Sequence, residues 1–269
     1  MPSLPHRASG HPWAAKEGGE TLVLRMPGAR SPEACAADVA VGHCLMQSPV
    51  ITYAIGDIHG CADLLDRLLA LIADHADGRE RKLVFLGDYI DRGPDSAGVL
   101  HTLSRLQWAE PAHVTCLMGN HERMLLDGLG TPEDAEHWLS SGGEATLAAF
   151  GAREQMDLPR DILDWIEVLP TLHGDARRWY VHAGLRPGRT AEETDAHDRL
   201  WIRGPFLEGD HDFARHVVHG HTPQRSGVPE RRPFRTNLDT AAVYGGALTA
   251  GVFTDEGGPP QRFLQVRAE

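Results

Sequence analysis

Short apolar runs alternate with amphipathic stripes between residues 50 and 129. Three of the runs predict β-strands, because they are rich in branched side chains and each ends at Gly followed by Asp or Asn: VITYAIGD, KLVFLGD and HVTCLMGN. Helices are predicted for the segments that follow these strands, CADLLDRLLALIADHADG, SAGVLHTLSRL and ERMLLDGL. This alternation of strands and helices is typical of an α/β fold.

The ends of the three predicted strands are regularly spaced. Asp57, Asp88 and Asn120 follow them, at separations of 31 and 32 residues. This spacing is that of a βαβ unit, and right-handed crossovers would place the strands parallel in one sheet. Their C-terminal ends would then share one edge, which is where open α/β sheets bind ligands. We therefore expect three oxygen-bearing side chains in one crevice.

Further strands are predicted in the second half of the chain. The region from Thr131 to Leu169 reads as helices and loops, and the segments WYVHAG and HVVHGHT then read as strands that end in histidines. The C-terminal segments FRTNLD, AVYGGALTAGVF and QRFLQV carry β-branched, aromatic and alternating residues. We expect them to form antiparallel strands of a second sheet.

Residues 1–47 differ in composition from the rest of the chain. They are rich in Pro, Gly and small residues and show no sustained periodicity. We interpret them as a poorly ordered N-terminal extension, with a translation start assigned too far upstream as the alternative. The predicted organisation is therefore an extension at 1–47 followed by one folded domain at 48–269.

Composition narrows the expected partners and compartment. The 26 Lys and Arg residues against 38 Asp and Glu give a net charge of −12, which disfavours broad binding of nucleic acid. No apolar run approaches the about 20 residues of a membrane span, and no signal-peptide core is visible. The four cysteines form no Cys-x-x-Cys pair. We therefore expect a cytoplasmic protein that binds neither membranes nor long stretches of nucleic acid.

The first candidate site follows the first strand, in the sequence GDIHG. Asp57 and His59 flank Ile58, so in extended backbone both side chains point to the same side and could reach one metal ion. Ile58 would then point into the core. The alternative is a strand-to-helix turn in which Asp57 caps the next helix.

The second candidate site is GDYIDRGP. Two carboxylates and a guanidinium at the end of a buried strand are unfavourable unless other groups pair with them. One interpretation gives Asp88 to a metal ion and Arg92 to a phosphate, whose oxygens match the planar guanidinium. The alternative is a surface loop that contains a local Asp91–Arg92 ion pair.

Histidines mark the remaining strand ends. Asn120 offers an amide oxygen, and the adjacent His121 could be a ligand or an acid–base group, whereas Asn120 as a helix cap is the alternative. His182 ends WYVHAG, and His219 and His221 flank the glycine in HGHT. A single histidine at the end of a strand is more often structural than a ligand.

The five strand ends are more informative together than singly. They carry Asp, Asp, Asn, His and His, each within two residues of a glycine. Helix caps do not explain the histidines, and core packing does not explain the carboxylates, whereas one dinuclear metal site explains both. Oxygen and imidazole ligands without thiolate suit Mn, Fe or Zn, and a carboxylate such as Asp88 can bridge two ions.

The motifs GDIHG, GDYIDRGPDS, GNHE, HAG and GHT, in this order, resemble the signature of the calcineurin-like metallophosphoesterases. GNHERMLLDGL, HWLSSGG and LWIRGPF are similar to segments of the bacterial and phage branch of the phosphoprotein phosphatase family. The resemblance extends from about Ile51 to about Gly251. It implies an α/β sandwich of two mixed β-sheets flanked by helices.

The resemblance also implies a role for each matching residue. His121 would be the general acid, oriented by Asp91, while Arg92 and Arg203, with Asn120, would bind the phosphate. His219 matches no required position and is left as structural. The cofactor would be two divalent metal ions, with Mn²⁺ as first choice and Fe or Zn as alternatives. The implied metal ligands are Asp57, His59, Asp88, Asn120, His182 and His221.

The implied function is a serine/threonine protein phosphatase whose partners are phosphoproteins or phosphopeptides. The nearest alternative is a symmetrical diadenosine tetraphosphatase, a relative whose second motif carries Ala where this chain has Asp91 and whose third motif reads GNHD. A non-catalytic phosphoprotein-binding module is a third interpretation. The chain retains His121, Asp91 and Asp88, which argues against it. A two-iron oxygen-activating protein would not require the arginines beside the motifs.

Overall fold

The computed structural model describes residues 50–268, and the extension predicted at 1–47 lies outside them. The first half of this range alternates strands with helices and then continues as helices alone. Its elements are β1 (Ile51–Ile55), α1 (Ala62–Ala76), β2 (Arg81–Phe85), α2 (Ser96–Ala109), β3 (Val114–Cys116), α3 (Asn120–Asp127), α4 (Pro132–Trp138), α5 (Glu144–Phe150) and α6 (Arg160–Glu167).

The second half is mainly β-structure with two short helices. Its elements are β4 (Leu172–Gly174), β5 (Arg178–Val181), α7 (Ala196–Trp201), α8 (Gly204–Leu207), β6 (His216–His219), β7 (Glu230–Arg231), β8 (Arg235–Asn237), β9 (Ala247–Phe253) and β10 (Arg262–Arg267). None of the helices within residues 50–268 combines the length and apolar character that crossing a bilayer requires.

The strands form two mixed sheets of five strands each. The first sheet has the order β10-β9-β1-β2-β3, in which β1, β2 and β3 are parallel and β9 and β10 are antiparallel to their neighbours. The second has the order β4-β5-β6-β8-β7, in which β5, β6 and β8 are parallel. The expected α/β fold with two mixed sheets and flanking helices is confirmed.

The prediction that the C-terminal segments are antiparallel strands of the second sheet is wrong in two respects. β9 and β10 join the first sheet, where β9 lies between β1 and β10, and β8 pairs in parallel with β6. All seven residues of β9 are buried, which suits a strand in the interior of a sheet. The preceding Ala242–Tyr244 form a 3₁₀ turn rather than a strand.

Apolar side chains pack in three layers that hold the sheets in place. Helices α1 and α2 cover the outer face of the first sheet, and α8 packs against the second, whereas Leu200 and Trp201 of α7 join the apolar cluster of the first sheet. Between the sheets lies a small cluster made of Ala54, Val84, Leu86, Leu117, Tyr180, Val218, Leu238 and Phe253. The parallel strands of both sheets are therefore held back to back, and their C-terminal ends meet at one side of the molecule.

Candidate metal centre and active site

Each of the five predicted strand ends contributes side chains to one buried site. The loops after β1 and β2 and the start of α3 carry one set of residues, and the loops after β5 and β6 carry the other, so both sheets build the site rather than one sheet edge alone. The side chains are nearly inaccessible, with 0 to 5 % exposure. They are Asp57, His59, Asp88, Asp91, Asn120, His121, His182 and His221.

Strained backbone is concentrated in these loops. Within residues 50–268, eight residues other than glycine have positive φ, and five of them belong to the site: His59, Asp88, Asp91, Arg92 and His221. A non-glycine side chain in this conformation costs of order 1–3 kcal/mol and persists only where the surroundings enforce it. The fold therefore stabilises an unfavourable backbone in order to direct these side chains inward.

Two glycines allow the loops to approach closely. A Cβ atom at Gly119 would collide with the backbone nitrogen and carboxylate of Asp88, and one at Gly220 would collide with the carboxylate of Asp57. Because no side chain projects there, the backbone N–H of His221 donates to Asp57 Oδ2 at 3.1 Å. Asp57 therefore does not cap α1, whose N-terminal cap is Cys61.

His59 offers one imidazole nitrogen to the first half of the site. Its Nδ1 donates to the carbonyl oxygen of Ile90 at 2.7 Å, so Nε2 is the nitrogen that carries the lone pair. That Nε2 lies 3.4 Å from Asp88 Oδ2, and the His121 ring stands edge-on at a centroid distance of 4.7 Å. Side-chain nitrogen and oxygen atoms of His59, Asp88 and His121 that could reach a metal ion lie within 4.8 Å of one another.

His182 and His221 form the second half around Asn120. His182 Nδ1 donates to the Leu86 carbonyl at 2.9 Å, and its Nε2 lies 2.9 Å from Asn120 Oδ1 and 3.3 Å from Asp88 Oδ1. His221 Nδ1 lies 2.8 Å from the same amide oxygen. Asp88 thus faces the two halves with different carboxylate oxygens, which is the placement required of a bridging ligand.

The charges at the site are unbalanced without a cation. Burial, with Asp239 and Asp88 close by, raises the pKa of Asp57 well above its usual value, and burial raises the pKa of Asp239 to about 7. Burial also acts on Asp88, but His182, His121 and His59 outweigh it and hold the pKa of this carboxyl well below its usual range. A cluster of buried carboxylates is stable in its ionised form when positive charge is bound among them.

The buried histidines are poised as neutral ligands. Burial lowers the pKa of His59 to about 3 and that of His221 to about 2, and it also lowers the pKa of His182. A neutral imidazole is the form that coordinates metal. His221 Nε2 is buried without a hydrogen-bond partner within residues 50–268. The donors present therefore fit two divalent ions, without identifying the element.

His121 is bound in a network of a different kind. Its Nδ1 pairs with Asp91 Oδ2 at 2.7 Å, and the same oxygen accepts the indole N–H of Trp138 at 2.9 Å. The hydroxyl of Thr146 donates to Asp91 Oδ1 at 2.7 Å. Burial acts to lower the pKa of His121, but the charges of Asp88 and Asp91 outweigh it and raise the pKa. Asp91 therefore fixes the imidazole and favours its protonated form.

The two predicted phosphate-binding arginines differ in their surroundings. Arg92 donates from its two terminal nitrogens to Nε2 of His59 at 2.6 Å and of His121 at 2.7 Å, so it forms no local ion pair with Asp91. Arg203 precedes α8, and its exposed side chain has no hydrogen bond or ion pair inside the described range 50–268. Burial is the main cause that lowers the pKa of His182 and of His221, and the charge of Arg203 adds to this effect.

Four residues that support the site had no role assigned from the sequence. One of them is Glu122. Its carboxylate accepts hydrogen bonds from the backbone N–H groups of Asp88 at 2.9 Å and Gly119 at 2.8 Å, and so connects the segments that follow β2 and β3. The others are Trp138, Thr146 and Asp239. Glu122 and Trp138 stood in the quoted segments GNHE and HWLSSGG without being assigned a role, and FRTNLD is a further predicted strand that ends in a carboxylate, Asp239. His219 is buried with its ring edge-on to Phe206, consistent with a structural role.

Replacing Asp91 by Asn should change the pH dependence of any reaction that uses His121 as an acid. Because the charge of Asp91 helps raise the pKa of His121, its removal lowers that pKa, and the alkaline limb of kcat moves by about one unit to lower pH. The measurement is a pH profile of kcat with a phosphothreonine peptide, whose alkoxide leaving group needs a proton. Trp138→Phe, which keeps the carboxylate charge, is the matched control and should move the limb less, whereas an unmoved limb in Asp91→Asn would contradict this role.

Comparison with known proteins places this geometry in a family. The model of the calcineurin-like phosphoesterases matches residues 52–248, which include all the site residues described above. The chain therefore belongs to the calcineurin-like phosphoesterase family, whose members are metal-dependent phosphoesterases.

Individual relatives carry different names. The chain is 34 % identical over 209 residues to serine/threonine-protein phosphatase 1 of Salmonella typhimurium, covering 73 % of this chain and 89 % of the relative. It is 36 % identical over 160 residues to the symmetrical bis(5'-nucleosyl)-tetraphosphatase of Dechloromonas aromatica, covering 57 % of this chain and 52 % of that protein. The crystal structure of a putative diadenosine tetraphosphatase shares the fold with a TM-score of 0.59 at 24 % identity, covering 82 % of this chain and 98 % of that one.

Proposed function

We propose that this phosphoesterase is a serine/threonine protein phosphatase that hydrolyses phosphate monoesters with two divalent ions, Mn²⁺ by preference. The observation that carries the proposal is the position of His121 beside the metal-binding groups. Its Nε2 lies 2.7 Å from the Arg92 guanidinium and 4.0 Å from Asp88 Oδ2, and its other nitrogen is held by a buried carboxylate. One phosphate could therefore contact Arg92 and the acid while it lies against the metal-binding groups.

The proposed mechanism divides the reaction among the chain's own residues. Two divalent ions held by Asp88 and the histidines would supply Lewis acidity toward the phosphoryl oxygens and would lower the pKa of water. Arg92 and Arg203 bind the equatorial oxygens and neutralise charge that builds up during in-line displacement. His121, oriented by Asp91, gives a proton from Nε2 to the leaving alkoxide of serine or threonine.

Substrate binding would have to rearrange Arg92. In the structure its guanidinium donates to the lone pair of His121 Nε2, the atom that must carry the proton. A bound phosphate offers charged oxygens as stronger acceptors for both terminal nitrogens. Transfer of the Arg92 hydrogen bond from His121 to the phosphate would free Nε2 of His121 for protonation. Phosphate binding and activation of the acid are coupled in this scheme.

The choice of a protein substrate has two supports. The first support is a relative named serine/threonine-protein phosphatase 1, and the match with this chain covers 89 % of that relative's length. Asp91 and Glu122 are the positions at which the chain differs from the tetraphosphatase motifs, and both take part in the hydrogen-bond network of the site. Intracellular phosphoproteins are the partners that this proposal requires.

A symmetrical diadenosine tetraphosphatase is the second candidate. Its support is the 36 % identity with the relative of that name, in a match that spans about half of that protein. The same metal-binding groups and arginines would serve both reactions, because in each reaction water attacks a phosphorus atom. The two substrates differ in the groups attached to the phosphate, which are a peptide in one and nucleosides with further phosphates in the other.

A substrate panel separates the two candidates. Protein stripped of metal and reloaded with Mn²⁺ would be assayed on p-nitrophenyl phosphate, a phosphothreonine peptide, a phosphotyrosine peptide and diadenosine tetraphosphate. We expect the monoester and the phosphothreonine peptide to be hydrolysed, with kcat/KM for the peptide at least about tenfold above that for the dinucleotide. Dominant cleavage of the dinucleotide into equal halves would contradict the proposal and favour the second candidate.

A further inference from the structure

Tyr244 and Arg225 lie beside the phosphate-binding arginine and have no part in the mechanism above. The Tyr244 side chain is half exposed, and the guanidinium carbon of Arg92 is 5.8 Å from the centroid of its ring. The guanidinium carbon of Arg225 is 5.5 Å from the same centroid. One aromatic ring therefore holds two guanidinium groups, and the two distances together limit how far apart these groups can be.

Backbone contacts fix the two segments that carry this pair. Arg225 belongs to the loop that also carries the ligand His221, and the loop closes with a bond from Gly227 N to Gln224 O at 2.8 Å. The adjoining Gln224 N–H donates to the carbonyl of Asp239 at 2.8 Å, in the segment that leads to Tyr244. The position of Arg225 relative to the site is therefore set by main-chain bonds.

The charge of Arg225 is available to a ligand. Its side chain is exposed, and within residues 50–268 no hydrogen bond or ion pair engages it. Other arginines are paired, as Arg186 with Asp198 and Arg81 with Glu110 show. In a chain of net charge −12, a free cation beside the reaction site attracts anions where most of the surface repels them. Contact with an aromatic ring restricts the guanidinium in advance of binding.

We propose that Arg225, held against Tyr244, forms a second anion subsite that binds an acidic group next to the phosphate being hydrolysed. The subsite deepens the proposed function and rests on it, because the acidic group of a phosphoprotein substrate would be a carboxylate or phosphate near the phosphorylated residue. In a dinucleoside polyphosphate, the same chemistry would be offered by a neighbouring phosphate. No bond forms or breaks at this subsite, so its effect is on binding.

The test compares two phosphothreonine peptides that differ only in the flanking residues, Asp and Glu in one and Ser and Asn in the other. The metal-loaded wild type should hydrolyse the acidic peptide with the higher kcat/KM, through a lower KM. Arg225→Gln should raise the KM for the acidic peptide about three- to tenfold more than that for the neutral one. Arg225→Lys should restore part of the preference. Arg105→Gln, which removes an equal charge from an exposed site on α2, should leave the preference intact.

Ionic strength gives a second readout. The acidic-peptide preference of the wild type should weaken between 0.05 and about 0.5 M salt because exposed charges are screened, and Arg225→Gln should have little preference left to lose. A preference that persists in Arg225→Gln would overturn the subsite and leave the phosphatase proposal standing. If only diadenosine tetraphosphate is hydrolysed, the phosphatase proposal fails. In that case, a raised KM for the dinucleotide in Arg225→Gln supports the subsite, and an unchanged KM overturns it.

Discussion

Replacing His121 by Asn is expected to slow turnover by about 10²–10⁴-fold while leaving metal binding intact. The imidazole pairs with Asp91 at 2.7 Å and lies at the Arg92 guanidinium, so its loss removes the proton donor without removing a metal ligand of either half of the site. Asn cannot deliver a proton to the leaving alkoxide. The measurement is kcat on a phosphothreonine peptide beside metal content by elemental analysis.

Comparing substrates with different leaving groups makes this test of His121 more specific. p-Nitrophenolate leaves readily without a proton, so His121→Asn should lose less activity on p-nitrophenyl phosphate than on the peptide. His101→Asn is the matched control, since it makes the same change at an exposed histidine on α2. Equal loss on the two substrates, or unchanged activity on the peptide, would contradict the assignment of His121 as general acid.

Replacing Asp88 by Asn is expected to abolish activity by a different route, which is loss of metal. The two oxygens of Asp88 face His59 at 3.4 Å and His182 at 3.3 Å, so a single neutral amide would weaken both halves of the site. Changes outside the ligand set typically cost 10–100-fold in metal affinity, and loss of a shared ligand should cost at least about 10²-fold. Metal content after dialysis and activity should fall together.

Thermal unfolding provides a measure of Asp88 that does not depend on turnover. A ligand that binds only the folded state stabilises it, so Mn²⁺ should raise the Tm of the wild type and raise that of Asp88→Asn much less. Asp74→Asn, at an exposed carboxylate on α1, should respond to metal as the wild type does. Two bound equivalents of metal in Asp88→Asn would contradict a bridging position for this residue.

The main features of the site could be predicted because they are local. Asp57, Asp88 and Asn120 follow apolar runs at regular spacing, and the rules for parallel strands bring such ends together without knowledge of the fold. The motif pairs His59 beside Ile58 and His121 beside Asn120 are equally local. Ile58 is fully buried as predicted, but the extended backbone assumed for this motif is wrong, because His59 has a φ of 46°.

The supporting contacts could not be predicted because they join distant parts of the chain. Trp138 and Thr146 reach Asp91 from 47 and 55 residues away, and Asp239 approaches Asp57 from another sheet. The prediction of which sheet the C-terminal strands join was wrong for the same reason. The apolar pattern of β9 shows that the strand is buried but not which strand it pairs with, so its place beside β1 depends on the whole fold.

The central claim is that two divalent ions held around Asp88 perform the hydrolysis of phosphate esters. The most direct measurement is a titration of metal-free protein with Mn²⁺, in which bound metal and p-nitrophenyl phosphate hydrolysis are followed on the same samples. We predict that activity is absent without metal and reaches its maximum as the second equivalent binds to each chain. Full activity without metal, or saturation of activity at a single equivalent, would contradict the account.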